Sequence, residues 1–359
     1  MAKSKPAAAA SFGPVTSWPT ASKFLRSSRA KNLLPPPETA LGPLNKRNRK
    51  DFMAMDHTSN FLRKFLYDEG VDPDLRRLIH TVAVAGKYIS SLLNAANRKM
   101  AGTRNASAED QLEVDKQADI ILQDMITALD YVGEYASEEQ AKVIDANPKG
   151  KFSVSVDPLD GSSLIDVNLA VGTIVGIYPC EKLIDSGRHM LAALYILYGP
   201  LTTLVFTTGK GVHEFVLSPE GEFVLSQQNI TIQPKGKIYS PGGLRSEWNE
   251  PHRNYIDDLV QTDYKLRYSG GLVPDFNQII MKGGGLFSYP ALQAKPEGKL
   301  RLLFELYPLA FLCEQAGGMA TNGLENILDI KLQTIHQCAP IYIGSKAEVE
   351  KAKEYLQAG

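Results

Sequence analysis

The chain reads as an α/β protein in which helix layers cover sheets, and three changes of pattern along it carry that reading. Between Phe61 and Leu129 apolar residues recur at helical spacing. Between Phe152 and Leu217 they fall into short strand-like runs. After Lys235-Gly236-Lys237 helices and strands alternate. Helices laid over sheets in this way bury the apolar stripe of each helix against a sheet face, the arrangement of an α/β or α+β sandwich.

In order, Phe61, Leu62, Phe65 and Leu66 predict a first helix, with Thr58 or Ser59 as its N-cap. Asp72-Pro73 opens a second, because proline suits the first helical turn; its apolar face is Leu75, Leu78, Ile79, Val82, Ile89, Leu92 and Leu93. A third is predicted over Gln111 to Leu129. Strands follow at Phe152–Val156, Gly172–Tyr178, Leu191–Tyr198, Thr202–Thr208 and His213–Leu217. The remainder predicts helices at Glu250–Thr262, Val273–Met281, Phe304–Ala316 and Lys346–Leu356, and strands at Tyr264–Tyr268, Leu286–Tyr289 and Pro340–Ile343. Three segments result: an extension over 1–56, an N-terminal α+β domain over 57–234 and a C-terminal α/β domain over 235–359.

Charge is spread unevenly. Residues 1–50 hold ten Lys or Arg and one acid, Glu38, and so sum to +9; against a total of −1, the other 309 residues sum to −10. An acidic body argues against nucleic acid as a partner, and the absence of an 18-residue apolar run argues against a membrane span. The basic, Ala/Pro/Ser-rich first fifty residues cannot bury enough apolar area to order themselves. They read as a disordered extension on a cytoplasmic enzyme, the alternative being a transit peptide for the plastid stroma. Cys180, Cys313 and Cys338 show no paired spacing, which fits a reducing compartment. Cys313, in an apolar helical run, reads as a core residue.

The stretch Val156-Asp157-Pro158-Leu159-Asp160-Gly161-Ser162-Ser163 carries the chemistry. Two carboxylates three residues apart at a strand end can share hard divalent cations, which take oxygen ligands. Gly161, Ser162 and Ser163 leave backbone N–H groups open to a phosphate. Metal and phosphate in one turn point to metal-assisted phosphate chemistry. Glu138-Glu139, Asp115 and Glu305 add acids. Glu305 closes the apolar run from Leu300 and needs a partner there: a metal, a salt bridge or a helix terminus. Such a set could build a two- or three-metal site, with Glu139 or Asp115 taking the proton of an attacking water.

These motifs, with Gln111-Leu-Glu-Val-Asp115, Ser137-Glu-Glu139, Gly172-Thr-Ile174, Arg267-Tyr-Ser-Gly-Gly271, Lys299-Leu-Arg-Leu-Leu-Phe-Glu305 and Ala316-Gly-Gly318, resemble the fructose-1,6-bisphosphatase / sedoheptulose-1,7-bisphosphatase family of the inositol-phosphatase-like superfamily. The likeness covers residues 58–356. It implies a two-domain, five-layer α-β-α-β-α sandwich that hydrolyses the 1-phosphate of a ketose bisphosphate. By this resemblance Glu138, Asp157, Asp160, Glu305 and the Leu159 carbonyl would hold two or three Mg²⁺ ions, with Mn²⁺ a substitute. Asp115 and Glu139 would activate water, and Gly161, Ser162 and Ser163 would bind the 1-phosphate. Arg267, Tyr268, Gly270, Gly271, Tyr289 and Lys299 would bind the rest of the sugar bisphosphate, Arg267 being lent by a second subunit of a homodimer or homotetramer.

For the sugar, Ser240-Pro-Gly-Gly-Leu-Arg245 and Arg267 to Ile279 look like sedoheptulose-1,7-bisphosphatase. Arg245 would add a guanidinium to the distal phosphate site, and the small Gly242 and Gly271 could admit one more carbon. Phe287-Ser-Tyr-Pro290 and Gln315-Ala-Gly-Gly-Met319 read as fructose-1,6-bisphosphatase. The balance favours the seven-carbon sugar, with the six-carbon sugar or both as the alternative. The AMP-binding loop of many relatives is missing between Gly70 and Leu75, and no cysteine lies in Ala101–Asp110. AMP inhibition and dithiol activation are therefore not expected.

Overall fold

The computed structural model describes residues 60–100, 108–181 and 183–358. The extension, the Thr58 and Ser59 caps and Ala101–Ser107 lie outside them. All the described residues belong to one compact unit, Asp56–Gly359.

The first helix is α1 (Leu62–Asp68). Phe61 is its N-cap in extended conformation, with no side-chain bond. The cause is tertiary: Leu225 N donates to Asn60 O (2.8 Å) and Phe61 bridges Val224, so the incoming chain is held as an extra rung on a sheet. In α2 (Pro73–Met100) the Asp72 side chain does accept from Asp74 N (2.9 Å) and Leu75 N (3.1 Å). Six of the seven predicted apolar positions are buried, Leu92 partly so. Helix α3 spans Ala108–Thr127.

Next come β1 (Val132–Ser137), β2 (Ile144–Asp145), β3 (Phe152–Asp160), β4 (Val171–Pro179), β5 (Ala192–Tyr198), β6 (Thr202–Thr207), β7 (His213–Leu217) and β8 (Phe223–Gln227). They form one sheet in the order β2-β1-β3-β4-β5-β6-β7-β8. The pair β1/β3 is parallel and every other neighbour antiparallel. Strands β1 and β8 give no clear signal in the sequence because each mixes small or polar residues into a short run. Strand β3 runs four residues further than predicted, carrying both aspartates inside its end.

The C-terminal part supplies β9 (Ile238–Pro241), α4 (Glu250–Val260), β10 (Lys265–Leu266), α5 (Leu272–Met281), β11 (Leu286–Tyr289), β12 (Leu300–Arg301), α6 (Tyr307–Gln315), β13 (Met319–Thr321), β14 (Cys338–Ala339), β15 (Ile341–Gly344) and α7 (Lys346–Ala358). Five strands form a second sheet in the order β10-β9-β11-β15-β13. The helix predicted over Phe304–Ala316 is divided. A π-helical turn covers Leu302–Leu306, and α6 starts only at Tyr307, with Pro308 in its first turn. Proline has no N–H to continue a preceding ladder, so the chain changes pitch there.

Three cores define the layers. Helices α1, α2 and α3 pack Leu66, Leu78, Ile79, Val82, Ala118 and Leu122 onto one face of the large sheet. Its other face and one face of the second sheet enclose α5 and α6 through Phe276, Ile279, Leu309 and Leu312. Tyr255, Ile256, Leu259, Val349 and Ala352 of α4 and α7 cover the second sheet's outer face with Tyr239 and Tyr342. The order is helix, sheet, helix, sheet, helix, the five-layer sandwich the resemblance implies.

Candidate active site

Two parallel strands ending side by side begin the site. Ser137 at the end of β1 pairs with Val156 in β3, so Glu138 and Glu139 emerge beside Asp157. Residues three apart in a regular strand face opposite sides. Here the β3/β4 register shifts between Asp157 and Asp160, and that bulge turns both carboxylates the same way. Glu305 arrives from the π-helical turn, a local widening often found at functional sites. One oxygen from each of Asp157, Asp160 and Glu305 lies within 4.8 Å of the others. Asp157 and Glu305 are 4% and 5% exposed.

Each acid is aimed by backbone donors. Asp157 Oδ1 accepts Leu159 N (3.0 Å), and Glu305 Oε2 accepts Arg301 N (2.6 Å). Asp160 accepts Leu272 N (3.3 Å) and Val273 N (2.6 Å), capping α5 from another strand. The Arg301 guanidinium is ion-paired with Glu138.

Burial and mutual repulsion push these groups toward their protonated forms. Desolvation, then the Glu138, Asp160 and Glu305 charges, hold Asp157 well above the usual carboxylate range. Burial likewise raises Glu305, with Glu138 adding to it. Asp160 is raised by burial and partly brought back by its two N–H donors. Asp115 is pushed up to about 6 by burial, offset by a Ser162 hydrogen bond and reinforced by Glu139 and Glu138. Glu139 is raised by burial and by Glu138. Asp115 Oδ1 is buried without a hydrogen-bond partner. Closely spaced hard oxygen donors, carrying more negative charge than the surroundings neutralise, suit Mg²⁺ or Mn²⁺.

Gly161 then takes φ +79°, a conformation open to glycine, and starts a 3-10 turn over Ser162–Val167. Its first bond, Leu164 N to Gly161 O (2.8 Å), leaves the Ser162 and Ser163 N–H groups ahead of it. A Cβ on Gly161 would lie 3.4 Å from Gly271 Cα, so this turn abuts the Gly270-Gly271 loop before α5. Buried Asp275 accepts Ser269 N at 2.9 and 3.1 Å and so holds that loop.

The predicted distal residues are brought together in part. Tyr268 is close enough for Tyr289 to influence its hydroxyl, and Lys299 Nζ sits 5.5 Å from the centre of the Tyr289 ring. Arg267 is exposed, and its guanidinium donates to Leu266 O (3.2 Å). Arg245 donates to both carboxylate oxygens of Asp257 at 2.8 Å. The two glycines read as room for a longer sugar are already in use. A Cβ on Gly242 would fall 2.3 Å from Tyr289 Cδ2, and one on Gly271 would fall 3.1 Å from Leu164 Cδ1 and Pro274 Cδ.

Sequence reasoning assigns no role to Arg301, Asp275 or Asp119. Arg301 sits inside a stretch already singled out, and Asp119 follows Asp115 by one helical turn; their partners come from distant segments, which spacing does not reveal. Among the described residues no helix is long and apolar enough to cross a membrane.

Comparison with known proteins agrees with this geometry. The family model described as "Fructose-1-6-bisphosphatase, N-terminal domain" matches residues 62–228, and that of the C-terminal domain matches 232–357. The chain is 50% identical over 297 residues to a class 1 fructose-1,6-bisphosphatase of Pelobacter propionicus, covering 82% of this chain and 92% of the relative. It is 43% identical over 295 residues to the protein of that name from Methanocorpusculum labreanum, with 82% and 91% covered. The holo-form crystal structure of Leishmania major fructose-1,6-bisphosphatase superposes with a TM-score of 0.76 at 32% identity, covering 82% of this chain and 98% of the other.

Proposed function

The chain belongs to the fructose-1,6-bisphosphatase family, and from that premise we propose that it hydrolyses the 1-phosphate of fructose 1,6-bisphosphate with Mg²⁺. The observation that carries this reading is the cluster of buried Asp157 and Glu305 with half-buried Asp160, whose oxygens lie within 4.8 Å of one another beside a turn of open N–H groups. Glu138, Asp157, Asp160, Glu305 and the Leu159 carbonyl would hold the ions. Bound there, Mg²⁺ supplies polarisation of the phosphoryl oxygens, a hydroxide-like water and neutralisation of the leaving alkoxide.

The protein's own groups do the rest. Glu139 or Asp115 accepts a proton from the attacking water, whose oxygen bonds to phosphorus; the bond between phosphorus and the oxygen on C1 breaks, and that oxygen takes up a proton from solvent to become the sugar hydroxyl. Gly161, Ser162 and Ser163 orient the 1-phosphate through N–H groups that need no rearrangement. Tyr268, Tyr289 and Lys299 receive the distal phosphate, beside the Gly270-Gly271 loop. Exposed Arg267 is available to a neighbouring subunit's site in a homo-oligomer, and Arg245 is available to the sugar only after leaving Asp257.

The sugar expected from the sequence is revised. The curated relatives carry the fructose-1,6-bisphosphatase name, and neither Gly242 nor Gly271 leaves empty space for a seventh carbon. The test is phosphate release with Mg²⁺ from fructose 1,6-bisphosphate and from sedoheptulose 1,7-bisphosphate. We expect kcat/KM at least tenfold higher for the six-carbon sugar, a difference of about 1.4 kcal/mol in transition-state binding. A preference for the seven-carbon sugar would refute the substrate assignment; no release from either would refute the function.

A further inference from the structure

The proposed reaction requires Glu138 and Glu139 at fixed positions, yet both lie on a turn beyond the end of β1. Locally that turn has few restraints: Glu138 N donates to Val156 O (2.9 Å), Glu139 N to Ser137 Oγ (3.3 Å) and Gln140 N to Ser137 O (3.1 Å). The stronger restraints come from elsewhere in the chain. The Gln140 side-chain amide donates to Asp119 Oδ2 (2.6 Å). Asp119 is 3% exposed, and its other oxygen accepts the hydroxyl of fully buried Tyr135 (3.1 Å). On the far side, His336 Nε2 lies 2.9 Å from Gln140 O. A carbonyl only accepts, so Nε2 carries the proton. The His336 ring packs 5.5 Å from Phe304, the neighbour of Glu305.

We propose that Asp119, Gln140 and His336 are positioning residues: a clamp that holds the Glu138-Glu139 turn in register with the acids of α3, β3 and the π-helical turn. This rests on the function argued above. Gln140 is the joint. Its side chain is tied to the helix that carries Asp115, one turn from that acid, and its backbone to the segment packed against the residue before Glu305. Partners of this kind, which orient ligands without touching the ion, typically change metal affinity or activity by about 10–100-fold when lost.

The test exchanges donor and acceptor. Gln140→Glu sets a carboxylate against Asp119 and should force the turn away. Combining Asp119→Asn with Gln140→Glu restores the bond in reverse: the new amide on α3 donates to the new carboxylate on the turn, while the amide oxygen still accepts from Tyr135. Mn²⁺ binding to the substrate-free protein is measured by calorimetry, with kcat and KM in parallel. Q140E is expected to weaken Mn²⁺ binding about tenfold and to lower kcat by ten- to hundredfold, with KM within about twofold. The double variant should regain both to within about threefold. Unchanged Mn²⁺ binding and kcat in Q140E would overturn the clamp, as would a double variant as impaired as the single. If Q140E does not fold, Q140A breaks the bond without adding charge and should shift Mn²⁺ binding in the same direction; no shift overturns the proposal. Wild-type protein that binds Mn²⁺, shows the exchange pattern and releases no phosphate would refute the bisphosphatase reading and leave the clamp standing. Wild-type protein that binds no Mn²⁺ would remove both.

Discussion

Replacing Glu305 by glutamine should make the metal-free protein more stable and the enzyme inactive. Asp157, Asp160 and Glu305 place oxygens within 4.8 Å of one another. At an effective dielectric constant of 20, each fully ionised pair at that distance repels by about 3.5 kcal/mol. The alternative is to keep a proton on one carboxyl. At pH 7, for a group whose unfolded pKa is about 4.3, that costs about 3.7 kcal/mol at 1.36 kcal/mol per unit. The two costs are nearly equal, so removing one acid relieves the metal-free fold by at most about 3.5 kcal/mol. Glutamine keeps an oxygen for Arg301 N but remains a buried polar group, so we expect a net gain of about 2 kcal/mol, or roughly 4 °C in Tm for a chain of this size. The assay is thermal unfolding at pH 7 with EDTA and with saturating Mg²⁺, alongside phosphate release. Wild type should gain stability from Mg²⁺, whereas E305Q should start higher and gain little. Metal-free E305Q less stable than metal-free wild type, or an undiminished response to Mg²⁺, would refute the metal assignment of this cluster.

Three further outcomes follow from the same geometry. Metal-free protein should lose stability as pH rises from about 4 to above 6: the folded pKa values of Asp115, Asp157, Asp160, Glu139 and Glu305 are all raised. The folded state therefore binds more protons than the unfolded one; Tm measured across that range with EDTA checks the sign, and Mg²⁺ should flatten the slope. Gly172→Ala places a Cβ 2.5 Å from Val273 Cβ at the start of α5, and should cost about 1–3 kcal/mol of overpacking while disturbing the Asp160 cap; denaturant unfolding and metal binding should both register it. Arg245→Ala should change KM for the bisphosphate by less than about twofold, because its guanidinium is engaged by Asp257; a fivefold rise would mean that it leaves Asp257 for the distal phosphate.

Much of this architecture is legible in one dimension. Strands β7 and β11 begin and end where the apolar pattern does, and α2 opens at Asp72-Pro73 with the expected side-chain bonds. Helix periodicity, proline at a first turn and alternating strands are local signals set by neighbours in the chain. Strand β1 carries no such signal, although its pairing with β3 delivers Glu138 and Glu139; in Val-Gly-Glu-Tyr-Ala-Ser the pairing partner, rather than local propensity, decides the conformation.

Residue types and spacing were enough to suggest the chemical class proposed for the site, because acids at a strand end followed by Gly-Ser-Ser offer hard oxygen donors and open N–H groups together. The succession of helical and strand periods was enough to set helices over sheets, while the five-layer order came with the family resemblance. Which way the site residues face is a matter of long-range contacts. The bulge between Asp157 and Asp160, the π-helical turn at Glu305, the capping of α5 by Asp160 and the clamp on Gln140 each depend on packing between segments far apart in the chain. Gly242 shows the difference most simply: in sequence it is the absence of a side chain, and in the fold that absence is filled by the ring of Tyr289.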